Sequence, residues 1–203
     1  MTDFKPEGFS VCAIRSDEEM LSVNREEAEK AFKKQKKLLN SFLKEHGFRT
    51  YKTNSYIRKN SLDVLEYINL QKEQYGSKRL TVNFALISLR IPHDFLSYDL
   101  GDRLGMLICG KDIWWDYADD TAAEISFQNI IQAIAEVLLP WFEKSSSREG
   151  LKQELLKVKK IRESYGGCLH HIQQSLLESL DRDETDCSEI IRQNLQVFRI
   201  SKI

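Results

Sequence analysis

The sequence has few cysteines, and no two of them are spaced as C-x-x-C. The four stand at positions 12, 109, 168 and 187, and the gaps between them fit no zinc-binding pattern. The N-terminus lacks a basic segment followed by an apolar run, so no secretory signal is recognisable. Four thiols without such a signal are typical of a chain that keeps its cysteines reduced. We therefore expect a cytoplasmic protein without disulfides.

Long hydrophobic runs and an excess of one charge are also absent. The longest apolar stretches fall short of the roughly 20 residues that a membrane helix needs, so we expect no membrane span. Thirty basic and 31 acidic side chains leave a net charge of −1, which argues against broad nucleic-acid binding because such binding needs a basic face. A length of 203 residues allows one domain, alone or with a helical appendage.

The best-marked catalytic motifs are missing as well. The sequence contains no G-x-x-x-x-G-K-[ST], G-x-G-x-x-G, H-E-x-x-H or G-x-S-x-G. Neighbouring histidines on a helix point about 100° apart and chelate one metal poorly, so His170 and His171 predict no metal site. Cys109 lies in an apolar segment and is predicted to be a small core residue. No catalytic residue, metal or cofactor is therefore predicted, although an unmarked active site remains open.

A helix is predicted from about Arg25 to His46, followed by Gly47 as its left-handed stop. Its polar face carries Lys33, Lys34, Lys36 and Lys37. These lysines either contact phosphates or acidic lipid, or form a solvated face beside neighbouring glutamates, and the second interpretation is favoured. A short strand is expected at Phe9–Ile14.

Strands follow the helix at 48–52, 55–58, 62–72 and 80–90, with side chains alternating between two faces. Short links between consecutive strands predict an antiparallel meander, with one face covered by the first helix. Residues 91–110 are expected to form loops and one short strand, and residues 113–116 a short strand or a loop anchor.

Helices dominate the rest of the chain. One is expected from about Ser126 to Lys144, with a kink just before Pro140. Another is expected at 148–164 with Ser147 as its cap, and two further amphipathic segments end near residues 180 and 198. We predict an α+β protein: an antiparallel β-meander packed against helices in residues 1–155, and a C-terminal helical extension in residues 156–203.

The sequence contains several short motifs in a recognisable order: Tyr56-Ile-Arg58, Ile68-Asn-Leu-Gln-Lys72, Leu80-Thr-Val-Asn-Phe84, Arg103-Leu-Gly105, Lys111-Asp-Ile-Trp-Trp115 and Leu139-Pro-Trp-Phe-Glu143. Together they resemble the bacterial domain-of-unknown-function family 4304 over about residues 35–155. The resemblance implies an α+β domain and no assigned activity. It also singles out five polar positions as landmarks: Arg58, Gln71, Lys72, Asn83 and Arg103.

Amide side chains are predicted to form a polar strip on the sheet. Asn69 with Gln71, and Thr81 with Asn83, each share a face of their strand. Beside Arg58 or Arg103, such a strip could bind an anion or a peptide backbone. The alternative, which is favoured, is cross-strand hydrogen bonding that fixes the register.

Two adjacent tryptophans extend this candidate surface. In a strand, Trp114 and Trp115 would point to opposite faces, so one would pack in the core while the other meets ligand or solvent. The alternative, that both anchor a loop to the core, is favoured because large aromatic side chains are mostly buried. The candidate ligand-binding residues are therefore Arg58, Gln71, Lys72, Asn83, Arg103, Trp114 and Trp115.

Two classes of function follow. The first is a non-enzymatic binding or protein-interaction module of the bacterial cytoplasm, with a protein partner or a second copy of itself. The second is an enzyme with an unmarked site that acts on a small anionic or phosphorylated substrate through Arg58, Lys72, Arg103 and one tryptophan. The second requires these cations to lie together and not in separate ion pairs. Nucleic-acid binding through the lysine run is a third and weaker hypothesis.

Overall fold

A six-stranded antiparallel sheet forms the centre of the protein. The structure is a computed structural model that describes residues 25–74, 76–181 and 187–201, so the predicted strand at Phe9–Ile14 lies outside the described residues. The sheet is a meander in the order β1-β2-β3-β4-β5, and β6 pairs with β4 beyond the end of β5. The strands are β1 (Arg49–Lys52), β2 (Ser55–Lys59), β3 (Val64–Lys72), β4 (Arg79–Ser88), β5 (Leu100–Arg103) and β6 (Trp115–Asp116).

The helices in the described ranges precede, interrupt and follow the meander. They are α1 (Arg25–Glu45), α2 (Leu104–Cys109), α3 (Asp120–Ala133), α4 (Leu139–Lys144), α5 (Arg148–Ser164), α6 (His171–Asp181) and α7 (Ser188–Val197). A π-helical segment, Ile134–Leu138, joins α3 to α4. The α+β class, the antiparallel meander and the C-terminal helices are confirmed.

One face of the sheet packs against α1, α3 and α4. Tyr56, Ile68 and Phe84 stand opposite one another on β2, β3 and β4, and all are buried in the main core. Phe32 of α1 and Phe127 of α3 meet in this core with their ring centroids 5.5 Å apart. Apolar positions that alternate along the strands thus face a helical apolar stripe, which is the arrangement that removes most apolar surface from water.

The opposite face is covered over only part of its area. Tyr67 and Ala85 belong to a second buried cluster, which the C-terminal residues Phe198 and Ile200 complete. Tyr51 Oη donates a hydrogen bond to the carbonyl of Phe198 at 2.6 Å. The C-terminal segment therefore packs on the side of the sheet opposite α1.

The helix before Pro140 begins earlier than predicted. α3 starts at Asp120, six residues ahead of the expected start near Ser126, and Asp119 caps it by accepting a hydrogen bond from the N–H of Ala122. The first turn is small and polar, so it lacks the apolar spacing on which the prediction relied. The expected irregularity before Pro140 is present as the π turn, in which the N–H of Leu139 donates to the carbonyl of Ile134.

The helical stretch Asp120–Lys144 is long and apolar enough, by length and composition alone, to cross a membrane. Its apolar residues are accounted for by the core: Phe127, Ile130, Ile134, Leu138 and Phe142 are all at most 1% exposed. These five side chains place one face of the stretch in the main core, whereas Ile125 on another face is exposed.

Candidate functional site

The predicted polar strip exists on the sheet face opposite α1. Ser55, Asn69, Asn83 and Arg103 stand opposite one another on four neighbouring strands, from β2 to β5. Gln71 lies two residues beyond Asn69 and therefore on the same face. Asn69, Asn83 and Arg103 are half-buried and Gln71 is exposed. We call Asn69, Gln71 and Asn83 the amide strip.

Hydrogen bonds link the amide strip across strands, as the structural alternative predicted. Asn83 Nδ2 donates to Gln71 Oε1 at 2.9 Å and to Asn69 Oδ1 at 3.3 Å. Asn69 Nδ2 in turn donates to Ser55 Oγ at 3.0 Å. Each bond joins side chains of paired or adjacent strands, so the network supports the register of the sheet.

The same network leaves hydrogen-bonding groups at its end without partners. Within the described ranges, neither Gln71 Nε2 nor Asn83 Oδ1 makes a hydrogen bond. Thr81, which stands opposite Gln71, has a buried hydroxyl that also lacks a partner. Two neighbouring side chains that are hydrogen-bonded to each other therefore carry a free donor, on Gln71, and a free acceptor, on Asn83.

Arg103 closes one end of the strip and lies over Trp114. Its guanidinium carbon is 5.3 Å from the centroid of the Trp114 ring, and one of its terminal nitrogens forms an ion pair with Asp112. The register that pairs Leu80 with Trp115 brings Trp114 beside Thr81. Four of the seven predicted residues, namely Gln71, Asn83, Arg103 and Trp114, thus share one surface.

The two tryptophans face opposite sides. Trp115 is 4% exposed and belongs to the main core, whereas Trp114 is half-buried under Arg103. One ring therefore packs in the core and the other remains partly accessible, as in the first alternative, although Trp114 precedes β6 and does not lie in a strand. Cys109 also differs from expectation: it ends α2 and is exposed, because α2 turns its last residue away from the core.

Arg58 lies on the other face of the sheet, among core residues. Arg58 Nε donates to Glu66 Oε2 at 2.6 Å and Nη1 donates to the carbonyl of His46 at 2.7 Å. The guanidinium also lies 4.6 Å from the centroid of the Phe48 ring. These three contacts hold the guanidinium in one orientation at the junction of α1, β2 and β3.

Lys72 shares the core-facing side of the sheet but stands at its far end. It pairs with Glu29 of α1 at 2.7 Å, and its ammonium lies 3.8 Å from the centroid of Phe32 and 5.1 Å from that of Tyr117. Arg58, Lys72 and Arg103 therefore hold three separate carboxylates on two sides of the sheet. The structure does not assemble them into the single cationic site that the enzymatic hypothesis requires.

A cleft of about 430 Å³ opens beside Arg58, and sequence reasoning missed most of its wall. Glu66 is 1% exposed, and burial raises the pKa of its carboxyl while the Arg58 guanidinium opposes that rise. Asn60 Nδ2 is buried and makes no hydrogen bond. The available signal was the position of Glu66, a charged residue where strand alternation requires a core side chain. The cleft is lined by His46, Arg58, Asn60, Ser61, Glu66, Leu139, Glu143 and Ser146.

The lysine run of α1 does not form one basic face. Lys36 turns toward the β1–β2 turn, where it donates to Asn54 Oδ1 at 2.8 Å and to the carbonyl of Thr53. Lys33, Lys34 and Lys37 line an open groove, but Glu26, Glu29 and Asp120 line it too, and Lys34 pairs with Asp120 at 3.5 Å. This mixture of charges is what the solvated-face interpretation predicts.

Comparison with known proteins identifies a family. The model of the family described as "Domain of unknown function (DUF4304)" matches residues 39–144, just over half of the chain. The chain belongs to this family. No curated protein and no solved structure matches it. The matched DUF4304 segment contains all six strands, α2 to α4, the amide strip with Arg103 and Trp114, and most of the Arg58 cleft. Most of α1 and helices α5 to α7 lie outside it.

Within the residues that the structure describes, no group of three or more histidine, cysteine, aspartate or glutamate side chains could hold a metal ion.

Proposed function

We propose that this DUF4304 protein is a non-catalytic binding module of the bacterial cytoplasm, and that a protein partner docks on the amide strip beside Arg103 and Trp114. The observation that carries the proposal is the free donor of Gln71 beside the free acceptor of Asn83. A peptide unit offers one C=O and one N–H, so this pair matches the backbone of a partner chain.

Partial coverage of the sheet supports this surface. The C-terminal residues pack on the part of this face that carries Ile57, Tyr67 and Ile87. Asn69 and Gln71, farther along β3, lie outside this cluster. Half-buried Arg103 over half-buried Trp114 adds the two residue types that contribute most often to binding hot spots. Accessible backbone-like groups next to an aromatic anchor are typical of polypeptide recognition.

The separation of the cations favours binding over catalysis. Arg58 and Lys72 are each engaged with a carboxylate on the face opposite the amide strip. An anionic substrate on the strip would therefore meet Arg103 alone, and Asp112 already neutralises that guanidinium. A partner that offers its backbone to the amides therefore fits this surface better than a multiply charged substrate.

Site-specific photo-crosslinking in living cells tests the proposal. A photoreactive residue at Gln71 is expected to capture one defined protein, and the same residue at Gln128, on the exposed side of α3, is expected not to capture it. A product of twice the chain mass would identify the partner as a second copy of this protein.

Purified partner then gives the quantitative test. Trp114→Ala is expected to weaken binding by about tenfold or more, because truncating an aromatic anchor removes at least about 1.4 kcal/mol. Asn83→Ala is expected to weaken it less, and Gln128→Ala to leave it unchanged. Unchanged affinity for Trp114→Ala, or equal capture at positions 71 and 128, would refute the proposal.

A further inference from the structure

The cleft beside Arg58 is independent of the amide strip and lies on the other side of the sheet. Three elements form its walls: the end of α1 with His46, the β2–β3 turn with Asn60 and Ser61, and α4 with Leu139 and Glu143. The cleft has a volume of about 430 Å³ and is open to solvent.

Unused hydrogen-bond donors collect on one side of this cleft. A guanidinium has five N–H donors, and Arg58 uses one on Nε and one on Nη1, which leaves three without an acceptor among the described residues. Asn60 Oδ1 accepts from the N–H groups of Leu62 and Val64, so the turn fixes the amide. Its buried Nδ2 makes no hydrogen bond of normal geometry, but it lies close enough to Glu66 to lower the pKa of that carboxyl. A buried donor without an acceptor is unfavourable, and a bound acceptor would remove that penalty.

The orientation of Arg58 is fixed before any ligand binds. Glu66 and the carbonyl of His46 hold two of its nitrogens, Phe48 supports its face, and its Cδ lies 3.3 Å from where a side chain on Gly47 would begin. A fixed guanidinium loses little conformational entropy on binding and recognises planar carboxylates in preference to other shapes.

Negative charge lies on a different wall. Glu143 of α4 is exposed, lines the cleft and has no ion-pair partner among the described residues, whereas Glu66 is already paired with Arg58. A ligand with a carboxylate alone would meet repulsion from Glu143. A ligand that also carries an ammonium group would be attracted by it.

From these contacts we infer that the cleft binds a small zwitterion of the amino-acid class, with its carboxylate on the free donors of Arg58 and Asn60 and its ammonium toward Glu143. The ligand carboxylate then shares the Arg58 guanidinium with Glu66, and the ligand ammonium pairs with Glu143. Neither a metal nor a cofactor is needed for this recognition.

Three matched probes separate the contribution of the ligand carboxylate from that of the ligand ammonium. L-alanine carries both groups, propionate lacks the amine and ethylamine lacks the carboxylate. In saturation-transfer NMR on the full chain, alanine is expected to bind most tightly, propionate about tenfold more weakly, and ethylamine weakest of all. Binding of alanine no tighter than that of propionate, or no binding of alanine, would overturn the inference.

Three variants assign the contacts. Arg58→Lys keeps the charge but loses the planar fork of the guanidinium, and is expected to weaken the binding of alanine by about tenfold. Asn60→Asp keeps the oxygen that accepts hydrogen bonds in the turn and replaces the NH₂ donor by a second oxygen. It is therefore also expected to weaken the binding of alanine. Glu143→Gln alters an exposed residue, so it leaves folding unchanged; it is expected to reduce the preference for alanine over propionate.

Matched controls lie outside the cleft. Arg79→Lys changes an arginine that also pairs with a glutamate, and Glu149→Gln changes an exposed glutamate on α5. Both are expected to bind alanine as the unmodified protein does, and thermal unfolding of every variant confirms that it is folded. A Glu143→Gln variant that keeps the full preference for alanine would show that the ammonium contact is wrong.

Discussion

Asn194 accepts a hydrogen bond at Oδ1 from the backbone N–H of His93, at 3.0 Å and across 101 residues of chain. Its Nδ2 donates to the carbonyls of Leu89, at 2.9 Å, and Ile91, at 2.8 Å. Asn194 lies on α7, outside the family segment, whereas residues 89–93 follow β4 inside that segment. One buried amide thus fixes the C-terminal helix to the central domain.

Removing this amide is expected to destabilise the whole chain. Asn194→Ala would leave three buried backbone groups without partners, and each such group costs about 1 kcal/mol or more. We expect the free energy of unfolding in urea to fall by about 2–4 kcal/mol. Gln193→Ala, on the exposed side of the same helix, is the control and should change it by less than about 0.5 kcal/mol. Equal effects of the two substitutions would contradict the role given to Asn194.

The ion pair between Arg58 and Glu66 gives a second prediction. Arg58→Met is expected to lower the free energy of unfolding by about 2–4 kcal/mol at pH 7, because Glu66 would remain buried without its partner. Adding Glu66→Leu should restore much of that loss, since no buried charge is then left.

The pH dependence of this variant provides a check. Glu66 already has a raised pKa from burial, and loss of Arg58 raises it further, so the variant's defect should shrink as the pH falls from 7 to 5 and the carboxyl takes up a proton. The role of the ion pair would be contradicted if the double variant Arg58→Met with Glu66→Leu were less stable than Arg58→Met alone.

Asp99 gives a third prediction, on the pH dependence of stability. Burial raises its pKa to about 8 from an ordinary value of 3.8, and the N–H of Ser88 partly opposes this by donating to it at 2.6 Å. Between pH 4 and 8 the unfolded chain has lost this proton while the folded chain keeps it. This group therefore lowers stability as the pH rises, by about 1.4 kcal/mol per pH unit at most.

Asp99→Asn isolates this contribution. The variant should gain stability relative to the unmodified protein as the pH rises from 4 to 8, with no further gain above pH 8. His93, 3.6 Å away, has a pKa lowered by burial and contributes in the opposite direction below about pH 6.5. Urea unfolding across this range measures the difference, and a difference that does not change with pH would exclude a buried protonated carboxyl.

Gly101 gives a fourth prediction, on the close approach of β4 and β5. A Cβ at Gly101, opposite Ala85, would lie 2.3 Å from the carbonyl oxygen of Phe84 and 2.8 Å from Ala85 Cα. Backbone atoms cannot move aside as a flexible side chain can, so Gly101→Ala should lower the free energy of unfolding by about 1–3 kcal/mol. The control is Thr50→Ala, on the exposed edge strand β1, for which we expect a loss below about 1 kcal/mol. A loss no larger at Gly101 would show that the strands can separate freely.

Most of the fold could be predicted because its signals are local. Strand alternation placed Ile68 and Phe84 on one face and Asn69 and Asn83 on the other, and the structure has both faces as expected. The stop at Gly47 is also local: its φ of +81° is the left-handed conformation that glycine adopts most readily. The start of α3 was placed six residues too late because its first turn carries no apolar stripe.

The grouping of polar residues was less predictable, because it depends on which faces meet in space. Gln71 and Lys72 are neighbours in sequence, yet the period of two sends Gln71 to the amide strip and Lys72 to Glu29 on the opposite side of the sheet. Glu66 and Asn60 were missed because no spacing rule connects a strand interior, a turn and the end of a helix. The link between Asn194 and residues 89–93 lies beyond any local pattern.

The π turn at Ile134–Leu138 bears on how related sequences are to be compared. Five residues there cover one turn, where an α-helix would use about four. A relative with one residue fewer at this point would run as an unbroken α-helix and still present the counterparts of Trp141 and Phe142 toward the sheet. A single-residue alignment gap just ahead of Pro140 would therefore record a change of helix type inside a conserved architecture.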